Sequence, residues 1–257
     1  FGAIFFVMLV FAGDLILWEV FQSNNLSSRF RYSRLYDSRA QSDIVLIGNS
    51  RGHILYQPVI REFTPAKTIN LSYNALPTSV ARALVEDYCD LYAPPVKMII
   101  EVSMLIKTDS SVISEFKPYM KQSKRLETII NDVSPRTATA CMISNMYLFN
   151  SNMFHRSMYY LTNDDTDWIL DKRINAGLIA DVEKVDSMTY EITEDRLRDF
   201  LALIKKAREK GTDVTLILAP YYPAYLGKVN NLEDFINEVE ESSGLTVHDY
   251  SAFVNKD

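Results

Sequence analysis

The chain has 257 residues, 47% apolar and 23% charged, which is enough for one large core with a sizeable insertion and too apolar for a disordered tract. A net charge of −6 and a sequence pI near 5.2 give no general field for a polynucleotide, and no basic stripe interleaved with aromatics offsets this, so nucleic acid is not expected as a partner. Cys89 and Cys141 are too few for a disulfide framework, and His53, His155 and His248 are too scattered for a metal site, so neither metal nor cofactor is expected and both cysteines read as small buried residues.

The first element is Phe1 to Phe21, where Asp14 and Glu19 are the charges in an otherwise apolar run of about the length a bilayer-spanning helix needs. It reads as a membrane anchor or uncleaved signal segment, with the rest of the protein outside the cytoplasm. Two features pull the other way. Asp14 would lie at a costly depth, and Arg29, Arg31, Arg34 and Arg39 come after it, where the positive-inside tendency would keep them cytoplasmic. An apolar helix packed on the domain is the alternative. Residues 22–42 read as a connector.

Asp43-Ile-Val-Leu-Ile-Gly-Asn-Ser-Arg-Gly52 comes next, four apolar residues running into a Gly-polar-Ser turn before a helix-compatible stretch. It predicts a buried strand delivering Ser50 to the carboxyl edge of a parallel sheet. Backbone N–H groups and the positive end of a helix converge at that edge, so a hydroxyl there suits acyl-transfer chemistry with a stabilised oxyanion. Further strands are expected over 67–71, 96–102, 213–219 and 245–248, and helices over 78–92, 194–210 and 232–242, the last two closed by Gly211 and Gly244. Strands separated by single helices imply right-handed crossovers and an α/β fold, a flavodoxin-like three-layer sandwich on a parallel sheet, with one domain over 43–257.

The pattern breaks from about 103 to 192, a stretch too long for one connection, which reads as a large, mostly helical insertion. It carries seven of the nine methionines. It is either a lid with an adaptable apolar surface or a helical subdomain with its own core.

Gly48-Asn49-Ser50 after the first strand, Asn70-Leu-Ser-Tyr-Asn-Ala75 after the second and Ile99-Ile-Glu-Val-Ser103 at the third resemble the SGNH (GDSL-like) hydrolase superfamily, in particular its membrane-anchored cell-envelope branches. The resemblance covers roughly 43–104 and 193–251. It implies a serine esterase or acyl (acetyl) transferase acting on an acylated envelope glycan or small ester, with Ser50 as nucleophile and the N–H groups of Ser50 and Ala75 as oxyanion donors. Ser103 stands where the family's third-block asparagine would be. A D-x-x-H motif, which in the family supplies the base and its orienting carboxylate, does not occur in the sequence, and its place after the last strand leads to the expectation that the natural gene carries it just past Asp257. The alternative is an inactive protein of the same fold that binds an envelope polymer or a membrane acyltransferase partner.

Beside Ser50, Arg51 reads either as a fork for an anionic substrate group or as cover for the helix start. Asn74, and Tyr221, Tyr222 and Tyr225 in the Ala219-Pro-Tyr-Tyr-Pro-Ala-Tyr225 stretch at the carboxyl end of the fourth strand, are further candidate substrate contacts, the alternative for the tyrosines being a proline-fixed loop that covers core. His53, one helical turn beyond Ser50, is disfavoured as a base because geometry precedes residue type.

Overall fold

The computed structural model describes residues 2–164 and 176–253. In chain order these form α1 (Gly2–Ser27), α2 (Arg31–Tyr36), β1 (Ile44–Ile47), α3 (Gln57–Phe63), β2 (Thr68–Asn70), α4 (Thr78–Leu91) and β3 (Lys97–Glu101). Next come α5 (Lys124–Val133), α6 (Pro135–Ile143), α7 (Asn152–Tyr159), α8 (Ala176–Glu183), α9 (Glu194–Glu209), β4 (Asp213–Leu218), α10 (Pro223–Leu226), α11 (Leu232–Ser243) and β5 (Val247–Asp249), with 3₁₀ segments between, the longest being Ser110–Tyr119. The chain divides into two compact units, one of residues 2–40 with 109–164, the other of residues 41–108 with 176–253.

The second unit is the α/β part. Its five strands are all parallel, in the order β2-β1-β3-β4-β5, so the flavodoxin-like expectation holds strand by strand. Val45, Leu46 and Ile47 of β1 are buried on both faces, while on β3 and β4 buried Met98, Ile100, Leu216 and Leu218 alternate with partly exposed Lys97, Ile99 and Thr215. Right-handed crossovers put α3, which links β1 leftwards to β2, on one face, and α4, α9 and α11 on the other. Val80, Leu84, Val85 and Tyr88 of α4 are fully buried, each such side chain contributing about 1.5–3 kcal/mol of transfer free energy. Gly211 (φ 87°) and Gly244 (φ 65°) close α9 and α11 in the left-handed conformation that L side chains resist.

The first unit is helical and has its own aromatic core. Phe30 stacks on Tyr160 at 5.5 Å, Tyr32 meets Phe116 at 5.0 Å, and the hydroxyls of Ser33 and Tyr119 are 2.9 Å apart. Most of the insertion's middle thus behaves as a packed subdomain: Leu148, Phe149, Met153 and Phe154 are buried. Of residues 22–42, expected as a connector, 22–40 are built into this unit instead. α1 runs on to Ser27, and Tyr32 and Leu35 of α2 are fully buried because their aromatic and aliphatic partners come from residues 109–164. The arginines after the apolar run are used here too. Arg31 is buried, Arg39 donates to the carbonyls of Leu26 and Ser28, and Arg29 pairs with Asp164 at 3.0 Å.

α1 is long and apolar enough to cross a membrane, with mean hydropathy 2.2 over its best window and none of that window buried. Asp14 is nevertheless not a bare charge. Its carboxylate accepts from Ser144 Oγ (2.6 Å), Asn145 N (2.9 Å), Asn145 Nδ2 (2.8 Å) and Met146 N (3.0 Å).

Candidate functional site

β1 ends at Ile47 and the chain turns at once, because Gly52 N donates to Asn49 O at 3.1 Å and Arg51 N to Asn49 Oδ1 at 2.9 Å. Ser50 is exposed at the tip of this turn, at the carboxyl edge of β1. The chain then enters a three-residue 3₁₀ turn, Gly52–Ile54, rather than an α-helix, so Ser50 gains no helix dipole of the strength expected from the sequence. Two glycines make the turn possible. A Cβ on Gly48 would lie 2.7 Å from Glu101 Cβ, and one on Gly52 would overlap the Ser72 hydroxyl. Among the described residues, neither the Ser50 nor the Ala75 N–H donates to a protein acceptor, and both remain free to meet an oxyanion.

The loop after β2 is knitted to this turn. Tyr73 N donates to Gly48 O (3.2 Å), and the Asn70 side chain donates to the carbonyls of Gly52 (2.9 Å) and Leu55 (3.2 Å) while accepting from Ser72 N (2.9 Å). Ala75 sits in this loop at φ 52°, the left-handed region that glycine enters freely and alanine does not. Asn74 is exposed beside it.

The crevice at Ser50 has a volume of about 360 Å³ and is lined by Asn49, Ser50, Arg51, Ser103, Ile106, Lys107, Val182, Tyr190, Tyr221, Tyr222 and Tyr225. It opens between the ends of β1 and β3, where the strand order reverses, the usual ligand position in an open α/β sheet. Of the candidate residues, Ser50, Arg51, Ser103, Tyr221 and Tyr222 line it together; Asn74 and Ala75 are not among its lining residues. Arg196 on α9 fixes one wall by donating to the carbonyls of Leu105 (3.3 Å) and Ile106 (2.9 Å).

Beneath the crevice lies Glu101, wholly buried. Its carboxylate accepts from Ser103 Oγ (2.6 Å) and Ala219 N (3.3 Å) and lies 3.7 Å from Arg51 Nε. Burial pushes the Glu101 carboxyl above the usual range, with the Ser103 hydroxyl and the Arg51 charge opposing. Ser103 Oγ is also 3.3 Å from Asn49 Oδ1, so a hydroxyl with one proton stands between two acceptors when Glu101 is ionised. Protonation of Glu101 resolves this: the acid then donates to Ser103, and Ser103 to Asn49. Ser103 is therefore committed to its neighbours beneath Ser50.

Arg51 is committed as well. Its Nη2 donates to the carbonyls of Ala219 and Pro220, and its guanidinium lies 3.3 Å from the centre of the Tyr221 ring. It straps the β1 turn to the β4 loop, a contact that neither the substrate-fork nor the helix-cover expectation named. Tyr221 is buried, in contact with Arg51 and stacked on Tyr225 at 5.6 Å, so most of its surface is already occupied, and burial raises its phenol pKa. Tyr222 is half-buried at the crevice.

No histidine lines the crevice among the described residues. His53 Nε2 is bonded to Ser72 O at 3.0 Å, and His155 is an exposed residue of α7. His248, on β5, lines a different cavity with Ile99, Ile217 and Phe253. The expected D-x-x-H past Asp257 lies outside the described residues. Cys89 and Cys141 are free and buried, and burial raises both thiol pKa values. No cluster of metal-ligating side chains occurs among the described residues.

Sequence reasoning assigned no role to Glu101, Lys107 or Tyr190, whereas Tyr225, read with Tyr221 and Tyr222 as a candidate aromatic contact, does line the crevice. For Glu101 a signal exists: it is a charge closing the apolar run Met98-Ile-Ile-Glu101, and a carboxylate at the buried end of a central strand calls for partners. No protein-family model matches the chain, and no curated protein matches it.

Proposed function

We propose that this protein is an SGNH-like serine esterase or acyltransferase domain tethered to a membrane by α1, facing the cell envelope, with an acylated envelope glycan as its substrate class. The observation that carries this reading is the position of Ser50: an exposed hydroxyl with a free backbone N–H, in a crevice at the carboxyl edge between β1 and β3. Ser50 Oγ attacks the acyl carbonyl and passes its proton to a base brought from outside the described crevice lining. The Ser50 N–H holds the developing oxyanion, with the Ala75 N–H as second donor if the loop after β2 closes on the substrate. The C–O bond of the ester then breaks, its alcohol leaves carrying the proton, and water or a second alcohol takes the acyl group from Ser50. The tyrosine wall, Tyr190, Tyr222 and Tyr225, suits a sugar ring or acyl chain, and Lys107 an anionic group on it.

A second reading is favoured by one specific observation. The crevice holds no histidine among the described residues, and a serine without a base is a weak nucleophile. In that case the crevice binds an acylated polymer, or the domain docks on a membrane acyltransferase, without turnover.

The test is reaction of the protein with a fluorophosphonate probe and with p-nitrophenyl acetate, alongside Ser50→Ala. Labelling of Ser50 and loss of hydrolysis in the variant are expected of the esterase. No labelling, with retained binding of an acylated oligosaccharide that Tyr222→Ala weakens, would transfer the assignment to the binding reading.

A further inference from the structure

The surface of the first unit around α1 extends the reading that this helix lies in a bilayer, and rests on it. α1 exposes an apolar sleeve from Ile4 to Phe11 on all sides, and its first polar side chain, Asp14, is bound by the turn immediately after α6. That turn starts at Ser144, so the last two residues of α6, Met142 and Ile143, are tethered within about 7 Å of chain from a side chain hydrogen-bonded to α1. They are 86% and 70% exposed, although the residue before them, Cys141, is buried. An exposed Met-Ile pair is thus held beside the base of the apolar sleeve.

The surroundings carry the opposite polarity. One helical turn beyond Asp14, the Trp18 ring lies 4.0 Å from Lys121 Nζ, which also donates to Asn145 Oδ1. Lys121 and Lys124 line a groove that Met142 borders, where Lys124 also pairs with Glu127 at 2.7 Å and so shares its charge between that carboxylate and the surface. An amphipathic indole and lysines standing next to an apolar edge form the profile of the bilayer boundary, where the indole sits at headgroup level and ammonium groups reach the phosphates.

We propose that the tip of α6, Met142 and Ile143, inserts into the same phospholipid leaflet as α1, with the membrane–water boundary at the level of Asp14 to Trp18. The first unit is then held at two points, which fixes its rotation about α1 as a single helix does not. The occupant of this surface is the acyl region of a glycerophospholipid leaflet, with Lys121 and Lys124 facing its phosphates.

The experiment uses the full chain in vesicles of phosphatidylcholine and phosphatidylglycerol. Single cysteines at 8, 133 or 142 (M8C, V133C, M142C, in a C89A/C141A background) carry an environment-sensitive nitrobenzoxadiazole label. Val133 ends α5, about 13 Å along α6 from Ile143, and serves as the water-facing control. Blue-shifted emission at 8 and 142, quenched by spin-labelled lipid, with 133 unquenched, is the expected result. Quenching at 8 but not at 142 overturns the inference and leaves the anchor standing; quenching at neither removes both. A blue shift at 142 that spin-labelled lipid does not quench means a protein covers the tip, and also overturns it.

Discussion

Gly48→Ala tests whether the close approach of β1 to Glu101 is what shapes the Ser50 turn. The added Cβ would meet Glu101 Cβ at 2.7 Å and Gly52 Cα at 3.1 Å. Neither neighbour is the loose end of a side chain: one is the stem of a wholly buried residue on the central strand, the other is backbone. The overlap therefore has to be relieved by moving β1 and β3 apart, and overpacking of this kind costs about 1–3 kcal/mol. Because Gly48 has no positive φ, alanine recovers about 0.4–1 kcal/mol by restricting the unfolded chain. The net expectation is a loss of about 1–2 kcal/mol, or roughly 0.5 M in urea midpoint at an m-value of about 2–3 kcal/mol/M.

The chain has two units, so a global signal would blend them. Hydrogen exchange of the β1 and β3 peptides, measured by mass spectrometry across a urea series, reports the relevant one. Gly227→Ala is the internal control, since its nearest foreign atoms lie at 3.7 and 4.0 Å and its backbone is right-handed helical. Equal protection of β1 in the two variants would refute the claim that Gly48 is required by Glu101.

Glu101→Gln tests the buried carboxyl. Because burial raises its folded pKa above the ordinary 4.5, the folded state holds the proton more tightly than the unfolded chain, so its contribution is complete below about pH 4.5 and is lost as pH rises through the folded pKa. Wild-type stability minus that of the variant should fall as pH rises above 4.5; a flat difference by denaturant titration at several pH values would remove the desolvated carboxyl from the site. Ala75→Gly should leave stability unchanged or raise it by up to about 1 kcal/mol, because φ 52° is costly for alanine and free for glycine, whereas Ala75→Val should destabilise; thermal melts of the three proteins decide.

The part of this molecule legible in its sequence is the part that neighbours along the chain can determine. The run Ile44 to Ile47, the helical spacing of Val80, Leu84 and Tyr88 and the glycines at 211 and 244 each carry their own signal, and crossover handedness then orders the strands. Arg51 differs because its meaning depends on the carbonyls of Ala219 and Pro220, about 168 positions away, and nothing in Gly-Asn-Ser-Arg announces them. The same holds for α1. Its apolar run ends near Phe21, but the helix continues to Ser27 because Phe149 and Phe154 pack on Phe21 at 5.6 and 5.4 Å. Catalysis by Ser50 is a question of this second kind. A nucleophile is placed by its own strand and turn, but a base must arrive from elsewhere in the fold, and none of the histidines at 53, 155 and 248 is among the residues lining the crevice at Ser50. Fluorophosphonate labelling therefore decides what the motif alone does not: the reagent reacts only where a serine has been activated, so it reads the presence of a base directly, whichever segment or partner supplies it.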